Sequence, residues 1–118
     1  MAGRLTTHVL DTARGVPGAG IAVTLHRLDG DGRRLIARMV TNANGRTDKP
    51  LLEGEDFVAG RYELVFDTAA YFRAHGVVLA DPPFLDEIVL RFALADAAAH
   101  YHVPLLVSPW SYSTYRGS

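Results

Sequence analysis

The stretch IAVTLHRLDGDGRRLIARMV, residues 21–40, decides the fold class because it has the pattern of a β-hairpin. In its first half two sets of side chains alternate, the apolar Ile21, Val23 and Leu25 against Ala22, Thr24 and His26. The sequence Asp-Gly-Asp-Gly at 29–32 is a strong turn signal, and residues 33–42 then alternate again. A period of two is typical of half-buried strands. The pattern therefore predicts two paired strands at 21–28 and 33–42.

The same period continues on both sides of this hairpin. Further strands are predicted at residues 4–11, 61–67, 86–94, 100–107 and 110–116. Residues 68–75 differ, because they lack β-branched side chains after the first position and are followed by Gly76. Asp67 or Thr68 could cap this segment, which predicts one short helix. Seven or eight short strands with a single helix favour an all-β sandwich over a parallel sheet, which needs more crossover helices.

Composition narrows the class of protein. The chain has 118 residues, of which 48% are hydrophobic, so it can bury a core of its own. Its net charge of -1 gives no electrostatic basis for binding nucleic acid or an anionic membrane. The absence of cysteine excludes disulfides, thiolate zinc sites and cysteine nucleophiles. With no apolar run suited to a signal peptide or a membrane span, a cytoplasmic protein is expected.

The five histidines differ in what their surroundings allow. His26 falls on a polar strand face, His75 in the last helical turn, and His100 at an exposed strand start, so a structural role is favoured for all three. His8 and His102 lie on strand faces that combine Thr, His, Leu and Pro, which is too apolar for plain solvent and too polar for a core. Two interpretations of His8 and His102 are therefore kept, a functional surface and an ordinary protein interface.

No established catalytic motif is present in the sequence. It has no glycine-rich phosphate loop, no nucleophile elbow and no HExxH helix. His100 and His102 would point the same way on a strand, but no carboxylate lies close in sequence to complete a metal site, so none is expected. If the chain is an enzyme, histidine activation of water is the favoured chemistry. Arg46, taken alone, is an exposed arginine after the turn at 44–45.

Four motifs, in this order along the chain, resemble the transthyretin-like family. They are LTTHVLD at 5–11 with GVPG at 15–18, NGRT at 44–47, HVPLL at 102–106 and YRGS at 115–118. The terminal tetrapeptide is similar to the one that separates the hydrolase branch of that family from its hormone carriers. The resemblance extends over essentially the whole chain.

The resemblance implies one transthyretin-like hydrolase domain over residues 1–118, a sandwich of two four-stranded sheets of antiparallel type with one short helix. It also implies a homotetramer, a dimer of dimers, whose active sites lie in a channel between dimers. The implied activity is hydrolytic opening of the six-membered ring amide of 5-hydroxyisourate in urate breakdown. No cofactor and no metal are implied, and the only other partner is the small-molecule substrate.

The family's functional positions carry over to named residues of this sequence. Catalysis is expected of His8, Arg46, His102 and Ser118, and substrate binding of His8, Arg46, Tyr115, Arg116, Gly117 and Ser118. One histidine would take a proton from water, while the other would orient the water or protonate the departing nitrogen. Arg46 would bind the substrate's oxygens and stabilise the developing oxyanion.

Two alternatives to an enzyme stay open, a carrier of aromatic ligands without chemistry and a purely structural sandwich. Neither needs the two histidines, Arg46 and the YRGS end, so these residues favour the hydrolase.

Overall fold

A computed structural model describes residues 3–117. The strands are β1 (Arg4–Asp11), β2 (Val16–Pro17), β3 (Ala22–Asp29), β4 (Gly32–Val40), β5 (Leu52–Glu53), β6 (Gly60–Asp67), β7 (Glu87–Leu94), β8 (His100–Val107) and β9 (Tyr112–Thr114). A 3-10 turn at Gly54–Asp56 and one α-helix, α1 (Thr68–Ala74), complete the structure. Within this part of the chain no helix is long and apolar enough to cross a membrane.

The strands form two sheets, which confirms the predicted sandwich. One has the order β2-β1-β8-β9, and the other has the order β4-β3-β6-β7. The first sheet contains a fifth, two-residue strand, β5, which pairs with the start of β1. One pair departs from the antiparallel pattern, because β1 and β8 run parallel. Their long connection passes through the whole second sheet, so no hairpin turn dictates their relative direction.

A single core lies between the sheets. Its centre includes Tyr62, Leu64 and Phe66 of β6, all of which are fully buried. On β1 the inward side chains are Leu5, Thr7, Val9 and Asp11, all within 1% of complete burial. The carboxylate of Asp11 accepts hydrogen bonds from the hydroxyl of Tyr71 at 2.8 Å and from Nε of Arg14 at 3.1 Å. Because its inner face fills the core, β1 presents Thr6, His8 and Leu10 outward.

The turn and cap residues predicted from the sequence lie at the β3–β4 turn and at the two ends of helix α1. The hairpin of β3 and β4 turns at Gly30, whose φ of +59° suits glycine. Helix α1 begins after Asp67, whose carboxylate accepts from the Ala70 backbone N–H at 3.4 Å, and Gly76 follows it at a φ of +82°.

The last strand is shorter than the predicted 110–116. Pro104 of β8 lacks the N–H that a neighbouring strand would need, so backbone pairing with β9 covers only Leu105 to Val107. The Pro104 carbonyl instead accepts from the Thr114 hydroxyl at 2.7 Å. Pairing resumes beyond the proline, where the Gly117 N–H donates to the His102 carbonyl at 2.7 Å. Residues 115 and 116 therefore leave the sheet.

Candidate active site

The parallel pairing of β1 with β8 brings the two candidate histidines to one outer face. Thr6 lies opposite His102 in the register, and His8 lies opposite Pro104. Alternate residues of a strand share a face, so Thr6, His8, His102 and Pro104 face the same way. Both histidines are half-buried.

A turn that is held by side-chain hydrogen bonds places Arg46 beside this face. The side-chain oxygen of Asn42 accepts from the backbone N–H groups of Asn44 at 2.9 Å and Arg46 at 3.2 Å. Gly45 follows with a φ of +75°, and its carbonyl accepts from the Val9 N–H at 2.8 Å. A Cβ atom at Gly45 would overlap the Val9 carbonyl, so only glycine allows the turn to lie this close to β1. The result is a bridge between the backbones of Arg46 and His8.

A cavity of about 400 Å³ opens beside these strands. Its lining consists of Arg4, Thr6, Thr7, Arg46, Thr47, Asp48, Lys49, Pro50, His100 and His102. Three of these side chains are cationic and one is anionic, so the cavity favours an electron-rich or anionic ligand. No carboxylate among residues 3–117 forms an ion pair with Arg46, so its guanidinium charge is available to a ligand.

The surroundings of both histidines favour their neutral form. Burial lowers the pKa of His8, the positive charge of Arg46 lowers it further, and the Asn44 backbone opposes the shift. Burial also lowers the pKa of His102, with added repulsion from Arg46, His100 and His8. A neutral imidazole has one unprotonated ring nitrogen, so each histidine can accept a proton.

The C-terminal segment contacts His102 directly. Gly117 packs so closely on its ring that an added Cβ atom would lie 2.6 Å from Cδ2. The next position, Ser118, was expected in both catalysis and substrate binding, and it lies outside the described residues. The described part of the tail thus ends in contact with a candidate catalytic group.

Two other predicted residues lie elsewhere in the single chain. The Arg116 guanidinium stands 4.0 Å from the ring centroid of Tyr101, whose side chain points into the core on the face opposite His102. Tyr115 and Arg116 line a second cavity of about 440 Å³ between the edges of β7 and β9. The structure therefore brings together His8, Arg46, His102 and Gly117 but not these two residues.

Thr6 and His100 are site residues that the sequence did not indicate. The Thr6 hydroxyl lies 2.8 Å from Nδ1 of His102 and 2.8 Å from Nε2 of His100. This contact depends on the parallel register of β1 and β8, for which the sequence carries no local signal. Over the described range no three ligating side chains gather at a point, so the two histidines converge on a hydroxyl and not on a metal cluster.

Comparison with known proteins identifies related chains over this whole fold. A family model described as the HIUase/Transthyretin family matches residues 5–117. A protein of Pseudomonas aeruginosa named 5-hydroxyisourate hydrolase is 60% identical over 98% of this chain and 92% of its own. A crystal structure of (S)-allantoin synthase superposes with a TM-score of 0.94 at 48% identity, and this chain covers 44% of that longer one. The structure of Klebsiella pneumoniae 5-hydroxyisourate hydrolase gives a TM-score of 0.82 at 34% identity, with 98% and 99% coverage.

Proposed function

The chain belongs to the HIUase/Transthyretin family, and from this membership we propose that it hydrolyses 5-hydroxyisourate in urate breakdown. The proposal covers residues 1–118 as one hydrolase domain. It makes the protein a cyclic-amide hydrolase, and it draws on the high identity to relatives named for that activity.

The reaction needs water, an acceptor for its proton and a donor to the leaving nitrogen. The oxygen of water adds to the ring carbonyl carbon, and the bond between that carbon and the ring nitrogen breaks. The nitrogen gains a proton and leaves as the end of a ureido group, while the carbonyl becomes a carboxylate. The product is 2-oxo-4-hydroxy-4-carboxy-5-ureidoimidazoline. One imidazole can take the proton from water and, as imidazolium, can then supply it to the nitrogen.

We assign these roles to Arg46 and His102, which line the cavity, and to His8, whose backbone is bridged to that of Arg46. One of His8 and His102 takes the proton from water, and the other orients the water. Both have lowered pKa values, which favours the neutral form that can accept a proton. Arg46 uses its planar guanidinium to bind the substrate's oxygens and to stabilise the tetrahedral oxyanion. Gly117 lies against the His102 ring, and Ser118 is proposed to take part in catalysis and in substrate binding.

The observation that carries this proposal is Arg46, which forms no ion pair within residues 3–117, beside two half-buried histidines whose pKa values are lowered. A carrier of flat aromatic ligands gains nothing from holding histidines in the proton-accepting form. It would also be served better by an apolar lining than by three cations and one carboxylate around the cavity.

The proposal includes a homotetramer, built as a dimer of dimers, in which Tyr115 and Arg116 bind substrate. Three observations support assembly: the open edges of β7 and β9, the half-buried outer face of β1 and β8, and exposed apolar side chains. At the edges these include Val89, Tyr112 and Tyr115, with exposed fractions of 44%, 46% and 61%. A cytoplasmic location is also proposed, and the cysteine-free composition is compatible with it.

The test is to generate 5-hydroxyisourate with a uricase and follow its decay with and without the purified protein. The proposal predicts catalytic decay at substoichiometric protein, far above the spontaneous rate. A carrier would instead bind one ligand per site and leave the decay rate unchanged, and that result would overturn the proposal.

A further inference from the structure

One hydroxyl lies between two imidazole rings at the floor of the cavity. Oγ1 of Thr6 is 2.8 Å from Nδ1 of His102 and 2.8 Å from Nε2 of His100. The geometry follows from the register, because Arg4 and Thr6 of β1 pair with His100 and His102 of β8. Both histidines are on one strand face, and the threonine opposite them reaches both.

A hydroxyl has a single proton, so it can donate in only one of these two hydrogen bonds. In the other it accepts, and the ring nitrogen there must carry hydrogen. One arrangement has His102 donating from Nδ1 to Thr6, which donates in turn to Nε2 of His100. The reverse arrangement has His100 donating from Nε2 to Thr6, which donates to Nδ1 of His102.

The two arrangements differ at the nitrogen of His102 that remains for chemistry. When His102 donates from Nδ1, its Nε2 is unprotonated and can accept a proton from water. In the reverse arrangement Nε2 carries hydrogen and cannot act as a base. Within residues 3–117 no hydrogen bond engages Nε2 of His102, and His102 is one of the residues that line the cavity.

We propose that Thr6 and His100 are positioning residues that hold His102 with hydrogen on Nδ1, which makes Nε2 the general base. This inference rests on the proposed hydrolase function and deepens it, because it assigns the base to His102 and leaves His8, which also favours the neutral form, to orient the water. No proton moves along the three residues during the reaction. The water proton goes to Nε2, and the resulting imidazolium keeps its Nδ1–H bond to Thr6. It then gives the proton on Nε2 to the departing nitrogen, which returns His102 to its starting form.

The charges around His100 support the required direction. Burial lowers the pKa of His100, and the positive charge of Arg4 lowers it further, so His100 can accept at Nε2. His102 shares its strand face, and the same cavity contains Arg46, Lys49 and the single carboxylate of Asp48. A protonated His100 would have to donate to Thr6, which would then donate to Nδ1 of His102. Nε2 of His102 would then carry hydrogen and could not act as the base.

Two pairs of variants, at Thr6 and at His100, distinguish the effect of the hydrogen-bonding group from the effect of side-chain shape. Thr6→Val keeps the β-branched shape that suits β1 but removes the hydroxyl, whereas Thr6→Ser keeps the hydroxyl. We expect Thr6→Val to lower kcat about 10-fold or more, with a smaller change in KM, and Thr6→Ser to restore most of the loss. His100→Leu should behave like Thr6→Val, while His100→Gln retains an oxygen that can accept from Thr6.

The decisive readout is the tautomer of His102, measured by 15N chemical shifts of the histidine ring nitrogens in the whole protein without substrate. The wild type should show hydrogen on Nδ1 of His102, and Thr6→Val should shift the population toward hydrogen on Nε2. His26→Ala, on the other sheet, should leave the His102 signal unchanged.

The spectrum separates a failure of this inference from a failure of the proposed function. A wild-type His102 with hydrogen on Nε2, or a Thr6→Val variant with unchanged tautomer and kcat, would overturn the inference even if the hydrolase is active. If the expected tautomer were found in a protein without hydrolase activity, the hydrogen-bond arrangement would be correct but would have no role in catalysis. That result would also overturn the inference.

Discussion

At the residue scale, the site depends on a few histidines placed where burial and a guanidinium act in the same direction. Burial is the larger cause and Arg46 the second in lowering the pKa of both His8 and His102. The unprotonated fraction of each histidine is therefore higher than that of a free histidine at the same pH. Arg46 thus has two effects, one on the substrate through its planar donors and one on the bases through its charge.

Variants of Arg46 separate these two effects. Arg46→Gln removes the charge, so the pKa of the histidines should rise toward the ordinary value. Because the unprotonated form is active, the acid limb of the pH profile of kcat/KM should move to higher pH. Arg46→Lys keeps the charge but loses the two-pronged geometry, so its acid limb should stay near that of wild type while kcat/KM falls about 10-fold or more. A fully active Lys variant, or an unmoved acid limb in the Gln variant, would contradict this account.

At the element scale, period-two alternation predicted the long strands, and in β1 and β7 buried residues do alternate with more exposed ones. β4 has no fully buried residue, and β6 is buried on both faces. The hairpin of β3 and β4 and the cap of α1 follow from turn and cap residues that act locally. The pairing of β1 with β8 could not be predicted this way, since their contacts span most of the chain. The bond from Thr6 to His100, residues 94 positions apart, depends on that pairing.

Gly117 gives the most local test of the tail. Its Cβ would lie 2.6 Å from the His102 ring, so Gly117→Ala must displace either the tail or the ring. A displacement of about 1 Å at a catalytic group can cost up to about 100-fold in rate, so we expect a fall in kcat of about 10-fold or more with little change in Tm. Gly32→Ala is the matched control, because its Cβ would meet only the Asp29 carbonyl at 3.6 Å. Equal activity of the two variants would show that the tail does not position His102.

At the scale of the whole molecule, the two sheets pack face to face around one core and leave several outer surfaces partly exposed. The outer face of β1 and β8 carries the candidate site, and the edges of β7 and β9 flank the second cavity. Tyr115 and Arg116 lie at that edge and not beside His102, so their proposed contact with substrate requires a second copy of the chain. Assembly and substrate binding are therefore linked in the proposal.

The proposed assembly makes a simple prediction of mass. Four copies of the 12.8 kDa chain give about 51 kDa, which light scattering coupled to gel filtration measures directly. A charge at the edge, Val89→Arg, should shift the protein toward smaller species, since Val89 is 44% exposed in the single chain and would be covered in the assembly. Arg91→Lys, on the same strand, keeps its charge and should leave the mass unchanged. A wild-type monomer at micromolar concentration would contradict the tetramer.

The central claim is that water is activated at His8 and His102, and its most direct test is turnover of uricase-generated 5-hydroxyisourate by histidine variants. His102→Asn retains a side-chain group that can bond Thr6 but removes the ring base, and His8→Asn removes the second imidazole. Each should lower kcat by about 100-fold or more, whereas His26→Asn, on the other sheet, should match wild type. Losses below threefold at both His8 and His102, in proteins that remain folded, would contradict the account.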